Sequence, residues 1–198
     1  MKHLLSFKNL CAAMLIFSSF SVVSCGNNAT ETTGEDSATT TTTTENAAGF
    51  AEAVLSGTNP DTTVTGSARF DEADGKVKMT LTLIAPKMAN KNVAVHIHEH
   101  GDCGDMGKDA HGHWNPTNAK HGKWGSDNFH HGDIGNVKLD GDGKGTTELE
   151  TDLWTLGGDS ATNILDKAII VHGGEDDFTS QPAGNAGSRI GCGVIKKG

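Results

Sequence analysis

The chain has 198 residues, with 16 basic against 25 acidic side chains and a formal net charge of −9. This length fits one ordinary domain with additional segments, built around a single hydrophobic core. The acidic balance argues against binding of nucleic acid, which needs clustered Lys and Arg.

The first 24 residues have the layout of a secretory signal peptide. Lys2 and Lys8 precede an apolar run at residues 10–17, and small residues follow. The segment ends in Val-Val-Ser-Cys at residues 22–25, which resembles the lipobox of bacterial lipoproteins and predicts cleavage before a lipidated Cys25. Acyl chains on Cys25 would anchor the protein in the bacterial cell envelope, facing the periplasm or at the cell surface. Ordinary secretion with a free Cys25 is the alternative.

Residues 25–49 are predicted to be a disordered tether. They contain an unbroken threonine run at residues 39–44 and scattered carboxylates, with few apolar residues to offset the entropy of ordering. Removal of residues 1–24 also removes Lys2 and Lys8, so the formal charge of the mature chain is −11. The folded domain is therefore expected at residues 50–198.

The four cysteines divide by position. Cys11 leaves with the signal peptide and Cys25 carries the lipid, so Cys103 and Cys192 remain as one pair in an exported, oxidising setting. A disulfide between them would close a loop of about 90 residues, for which chain entropy gives roughly 4 to 5 kcal/mol of stabilisation. Two independent thiols are the alternative.

From residue 50 onward, short β-rich runs alternate with Gly, Asn, Asp and Pro turns, and no helical periodicity is sustained. Strands are predicted at residues 51–56, 62–70, 77–84, 93–99, 136–139, 145–156, 167–171 and 188–196. Asp74-Gly75 predicts a hairpin turn between the second and third strands. Two connections, residues 101–133 and 173–187, exceed the usual length of a plain loop, which indicates functional loops. The pattern predicts an all-β antiparallel sandwich or barrel.

Residues 93–133 hold eight of the ten histidines, which predicts a metal site. Strand periodicity places His96 and His98 on one face, about 6.6 Å apart along the strand, while Val95 and Ile97 face the core. Together with a loop histidine and His172 they would complete a four-imidazole set, which suits Cu(II). Three imidazoles and Asp133 would suit Zn²⁺. The loop histidines that could serve are His111, His113, His121, His130 and His131.

Six sequence blocks resemble the copper/zinc superoxide dismutase family in order and spacing. They are HIHE at residues 96–99, HWNP at 113–116, HG at 121–122, HHGDIGN at 130–136, VH at 171–172 and GNAGSRIGCGVI at 184–195. The similarity covers essentially residues 50–198. It implies an eight-stranded antiparallel Greek-key β-barrel or sandwich. It also implies conversion of superoxide to oxygen and hydrogen peroxide by alternation of Cu(II) and Cu(I) at a histidine-bridged copper/zinc site.

The resemblance implies a role for each matching residue. Copper would bind His96, His98, His113 and His172, and zinc would bind His113, His121, His130 and Asp133, with His113 as a bridging imidazolate. Asp176 matches the carboxylate that links a copper histidine to a zinc histidine, here His96 and His121, and such links fix ring orientation. Arg189 matches the guanidinium beside copper, and Cys103 with Cys192 matches the family disulfide.

Three histidines receive no role from the resemblance. His131 competes with His130 for zinc, but the family's His-x-x-Asp spacing selects His130. His111 lies near His113 without the following Trp-Asn-Pro. His100 is expected to be solvated, and a peripheral metal contact is the alternative.

The sequence departs from the family pattern in the second long loop. Pro182 and Ala183 occupy positions where some members have lysine and many have threonine, which leaves Lys120 and Lys123 as candidates for steering the superoxide anion or as ordinary solvated lysines. The alternative function is a copper- and zinc-binding lipoprotein on the same fold without dismutase activity. Monomer and homodimer are both open.

Overall fold

A computed structural model describes residues 49–198. The predicted signal peptide, the lipidation of Cys25 and the tether up to residue 48 lie outside the described residues. Gly49, the last residue of the predicted tether, already begins the first strand. Within residues 49–198, no helix is long and apolar enough to cross a membrane.

The described chain forms a nearly closed antiparallel β-barrel. Its strands are β1 (Gly49–Gly57), β2 (Thr65–Ala73), β3 (Lys76–Ile84), β4 (Asn92–His98), β5 (Gly135–Lys138), β6 (Lys144–Thr151), β7 (Ala168–His172), β8 (Arg189–Val194) and β9 (Lys196–Lys197). They are arranged in the order β5-β4-β7-β8-β1-β2-β3-β6, with β9 beside β1. The connections from β3 to β4 and from β6 to β7 join strands that are not neighbours, so the topology is a Greek key. The predicted fold class is confirmed.

Strict alternation explains why β1 and β3 form where they do. In β3, Val77, Met79, Leu81 and Leu83 are buried, while the residues between them are exposed or half-buried. Side chains alternate between the two faces of a strand, so this pattern turns one apolar face toward the barrel interior. The predicted hairpin turn is also confirmed, because Asp74 and Gly75 both adopt the positive φ that a type I′ turn requires.

Strands β4 and β7 are buried on both faces, and they carry the histidines. Val95 and Ile97 belong to the main hydrophobic core, whereas His96 and His98 point to the opposite face and are still almost fully buried. The two long loops, between β4 and β5 and between β7 and β8, cover that face. The metal-site candidates therefore lie between a rigid sheet and its loops.

Two predicted strands had wrong bounds: the second was placed three residues too early and the sixth was too long. β2 begins at Thr65 because the preceding chain is still in a turn, closed by a hydrogen bond from Thr62 N–H to the Asn59 carbonyl. β6 ends at Thr151, whose hydroxyl accepts a hydrogen bond from Leu153 N–H. The apolar run continues beyond the strand because Trp154 turns into the core, where its ring lies 6.0 Å from that of Phe70.

The predicted disulfide is present. Cys103 and Cys192 are bonded across 89 residues, with their Cα atoms 5.8 Å apart. The bond ties the start of the first long loop to β8, three residues from Arg189. It thereby restrains the loop that carries most of the histidines.

Candidate metal centre

The first group of potential ligands joins one strand pair to one loop. His96 and His98 project from β4, and His172 ends the neighbouring β7, where His96 is paired with Ile170. His113 comes from the first long loop, which returns alongside β4 and forms a β-bridge with His98. All four side chains are buried, and one ring nitrogen of each lies within 4.8 Å of the others. The ring centroids of His96 and His113 are 4.0 Å apart.

The second group comes entirely from the first long loop. His113, His121, His130 and Asp133 are buried, and their ligand atoms also lie within 4.8 Å of one another. Asp133 holds the loop together because its Oδ2 accepts hydrogen bonds from the backbone N–H groups of His130, at 2.8 Å, and Gly122, at 3.2 Å. The His-x-x-Asp spacing of residues 130–133 is thus one tight turn around a carboxylate.

Hydrogen bonds decide which nitrogen each ring of the first group presents. His98 Nδ1 donates to the His111 carbonyl at 2.9 Å, and His172 Nδ1 donates to the Gly187 carbonyl at 3.3 Å. Their Nε2 atoms therefore face each other, 3.4 Å apart. His96 is held through Nε2 instead, so its Nδ1 points inward and has no hydrogen-bond partner.

His113 faces both groups. Its Nδ1 lies 2.8 Å from Asp133 Oδ1, while its Nε2 is buried and has no hydrogen-bond partner. His121 Nδ1 and His130 Nδ1 lie 3.0 and 3.2 Å from the Asp133 oxygens, but neither is aligned to form a hydrogen bond. Buried polar atoms in proteins normally have partners. His96 Nδ1, His113 Nε2, His121 Nδ1 and His130 Nδ1 converge without a hydrogen-bond partner, which fits two metal ions joined by the His113 ring.

One carboxylate connects the two groups. Asp176, which is 1% exposed, accepts hydrogen bonds from His96 Nε2 and from His121 Nε2, each at 2.9 Å. The chain must approach it closely, since a Cβ atom at Gly184 would lie 1.8 Å from Asp176 Oδ1. Gly184 also has a positive φ of 61°, so glycine is required there on both counts.

Comparison with known proteins agrees with this geometry. The family model described as copper/zinc superoxide dismutase (SODC) matches residues 64–195. The chain belongs to the copper/zinc superoxide dismutase family. The resemblance found in the sequence is confirmed, and so is the expectation of copper and zinc as the metals of the family.

Several relatives share most of the domain. Superoxide dismutase [Cu-Zn] 1 of Aquifex aeolicus is 40% identical over 111 residues, 54% of this chain and 66% of the relative. Superoxide dismutase [Cu-Zn] 2 of the same organism is 35% identical over 144 residues, 70% and 82%. The Yarrowia lipolytica superoxide dismutase [Cu-Zn] is 36% identical over 152 residues, 73% and 96%. The crystal structure of the clock protein EA4 matches with a TM-score of 0.65 and 32% identity over 74% of this chain and 93% of that one.

In this superoxide dismutase site, burial and the carboxylates of Asp133 and Asp176 shift the pKa values of the histidines in opposite directions. Burial lowers the pKa of His172 to about 3, and it lowers the pKa of His113 to about 4 against the hydrogen bond to Asp133. Burial likewise lowers the pKa of His98 far below its ordinary value. For His121, burial is outweighed by the adjacent carboxylates of Asp133 and Asp176, which raise its pKa to about 9. His98, His113 and His172 are thus kept neutral, as metal ligands must be.

Arg189 lies at the mouth of the first group. Its half-buried guanidinium donates to the backbone carbonyls of Gly107 and His111, and it lines a cleft of about 540 Å³ together with His98, His113 and His172. Burial lowers the pKa of Arg189, but a guanidinium remains charged in proteins. The cleft therefore presents a fixed positive charge next to the histidine nitrogens.

The remaining predicted residues divide by location. Lys120, Pro182 and Ala183 line the same cleft as Arg189, whereas Lys123 is exposed and is not among the cleft residues. His131 stays outside both groups, where its ring packs edge-on against Trp114 at 5.5 Å. His100 and His111 also lie outside both groups, in contact with each other.

Two residues that support the site were not predicted from the sequence. Gln181 holds His121 from the second long loop, because its Oε1 accepts from the His121 N–H and its Nε2 donates to the His121 carbonyl, both at 2.9 Å. Asn136 makes the matching pair of hydrogen bonds to the backbone of Asp176, at 2.8 and 2.9 Å. Asn136 belongs to the HHGDIGN block at residues 130–136, but nothing in the sequence indicates that either amide binds the backbone of a distant residue.

Proposed function

We propose that this protein is a superoxide dismutase that converts two superoxide anions and two protons to oxygen and hydrogen peroxide at a copper/zinc centre. The observation that carries the proposal is the His113 ring, buried between two four-donor groups with one nitrogen facing each. A protein that only stored metal would need neither a shared ligand nor a guanidinium at the mouth of the site. The residue assignments are those that the family resemblance implies. Copper is held by His96, His98, His113 and His172, and zinc by His113, His121, His130 and Asp133.

The protein contributes geometry, charge and a proton site. When bound, copper supplies the one-electron chemistry, and zinc supplies a fixed positive charge that lowers the proton affinity of the shared ring. His113 Nδ1 faces Asp133 on the side of the second group, so His113 Nε2 is the nitrogen that can hold a proton and release it to reduced substrate. Asp176 fixes the rings of His96 and His121 so that their opposite nitrogens face the metal positions.

Arg189 brings the substrate to the histidines despite the acidic chain. A net charge of −9 would repel an anion at long range. Field focusing in a cleft lets the nearest charges dominate, and here these are the guanidinium of Arg189 and the ammonium of Lys120, opposed by the one carboxylate of Glu99. Two guanidinium N–H groups are occupied by carbonyls, so the remaining N–H groups are available to a small anion in the cleft.

Superoxide decay measured by stopped flow tests this function. The protein is loaded with one copper and one zinc, and free copper is removed with a chelator. The matched control carries zinc in both positions, so both metal sites are filled but no redox-active metal is present. We expect rapid decay, near the diffusion ceiling, with the copper/zinc protein alone. Inactive protein that holds both metals would instead identify a metal-binding protein without dismutase activity.

We further propose that the mature protein is anchored by a lipid on Cys25 and works in the bacterial cell envelope. The support is the signal-like segment at residues 1–24 and the Val-Val-Ser-Cys sequence that ends it. Mass spectrometry of the mature N-terminus should find acyl chains on Cys25, and Cys25→Ser should release the protein from membranes. An unmodified Cys25 on a secreted chain would contradict the anchor. Sedimentation equilibrium of the released domain distinguishes a monomer from a homodimer.

A further inference from the structure

A third cluster of metal-ligating side chains lies outside the two buried groups. Glu99, His100 and His111 are exposed, and one donor atom of each lies within 4.8 Å of the others. The rings of His100 and His111 meet with centroids 4.4 Å apart and an interplanar angle of 65°. None of the three belongs to the ligand sets described above.

The backbone holds this cluster in place. Although β4 ends at His98, pairing with the returning loop continues: Glu99 N–H donates to the Gly112 carbonyl at 3.0 Å, and His100 N–H donates to the Ala110 carbonyl at 3.2 Å. His100 and His111 are therefore opposite each other, where cross-strand side chains are in contact. Cys103 lies between them in the sequence, and its disulfide to Cys192 ties this loop to β8. The three donors thus project from paired backbone.

We propose that Glu99, His100 and His111 form a third metal site, which binds a divalent transition-metal ion and prefers Cu(II). Two imidazoles and one carboxylate suit the borderline ions, and affinity for such N/O sites rises along the first row to Cu(II). The exposure of all three side chains leaves the other coordination positions to water. Lys167 interacts electrostatically with Glu99. The Glu99 carboxylate would therefore interact with both this ammonium group and a bound metal ion.

The cluster is connected to the buried centre through one peptide group. The His111 carbonyl accepts hydrogen bonds from His98 Nδ1 and from the Arg189 guanidinium, while its side chain belongs to the third cluster. Glu99 also lines the cleft that contains Arg189. An ion bound by the cluster would therefore lie at the rim of the cleft. Its positive charge would offset the negative charge of Glu99, the one carboxylate that this cluster presents to the cleft. The third site does not depend on dismutase activity.

Copper binding by the fully loaded protein tests the third site. The full chain is first loaded with copper and zinc at the buried centre and then dialysed against increasing Cu(II). We expect one further copper per chain, with its own electron paramagnetic resonance signal. His100→Asn and Glu99→Gln should weaken this binding at least about tenfold, the lower end of the range for loss of a group that supports a metal site. Glu52→Gln is the matched control, because Glu52 is an exposed glutamate on β1, outside the cluster.

The outcomes separate this proposal from the proposed function. Absence of a further copper in the parent protein would overturn the third site, and so would equal binding by the parent and His100→Asn. Thermal unfolding of each variant shows whether the fold is intact, and His100→Asn leaves the backbone pairing of residue 100 in place. Failure of superoxide decay with the third copper still bound would contradict the dismutase alone.

Discussion

Replacing Asp176 by asparagine tests whether one buried carboxylate supports both metal positions. Its two oxygens accept hydrogen bonds from His96 and His121, each at 2.9 Å. Asparagine keeps one acceptor oxygen but places an NH₂ group against the other histidine N–H, and the surviving hydrogen bond is no longer to a charged group. Hydrogen bonds to charged groups contribute about 1.5 to 3 kcal/mol. Loss of a group that orients a metal-bound histidine costs about 10- to 100-fold in metal affinity.

Chelator competition measures the dissociation constants of both metals. The control is Glu175→Gln, which removes the same charge one residue away, where the exposed side chain accepts a hydrogen bond from Asn92 and is in neither histidine group. We expect copper and zinc both to bind about 10- to 100-fold more weakly to Asp176→Asn and to be unaffected in the control. Weakening of one metal alone, or equal effects of the two substitutions, would refute the role of Asp176 as the link between the sites.

Three further predictions concern the shared ring, the guanidinium and pH. His113→Ala should lower the content of both metals, measured by elemental analysis; unchanged zinc with only copper lost would contradict the bridge. Arg189→Ala should slow superoxide decay about tenfold or more with both metals retained, and loss of metal would show that its main role is to hold the loop. In the metal-free protein, burial keeps the pKa of His98, His113 and His172 below the unfolded value of 6.5. Protonation therefore favours unfolding, and this stability is complete above pH 6.5 and is lost as pH falls from there toward 4. Thermal unfolding temperatures that stay constant between pH 7 and 4.5 would contradict this reasoning.

The sequence predicted the parts of this protein that depend on short-range pattern. The eight strands, the Asp74-Gly75 turn and the two long loops follow from alternation and turn chemistry. The density of histidine predicted a metal site, whereas the division into two groups, including the choice of His130 by its spacing to Asp133, came from the family resemblance. The overextended sixth strand shows the limit: an apolar run around Trp154 looks the same whether its side chains face a sheet or close the end of a barrel.

What the sequence could not give is the second layer of contacts, because these form between residues far apart in the chain. Gln181 grips the backbone of a residue 60 positions away, and Asn136 that of a residue 40 positions away. Each amide binds main-chain atoms, which every residue possesses, so the contact cannot be predicted from the identity of a partner side chain. The requirement for glycine at residue 184 is similar, since it comes from the closeness of Asp176.

Long-range contacts of this kind also explain how the histidine rings of the first group are held in fixed orientations. Each histidine of the first group other than His113 is held through one nitrogen by an atom of the scaffold, and for His98 and His172 that atom is a backbone carbonyl. A carbonyl cannot donate a hydrogen bond, so it also fixes the tautomer and leaves the other nitrogen as the ligand. The cost of orienting the rings is thereby met during folding, before any metal binds. The same peptide group at His111 that orients His98 also holds Arg189, so the position of the guanidinium and the orientation of the His98 ring are determined together.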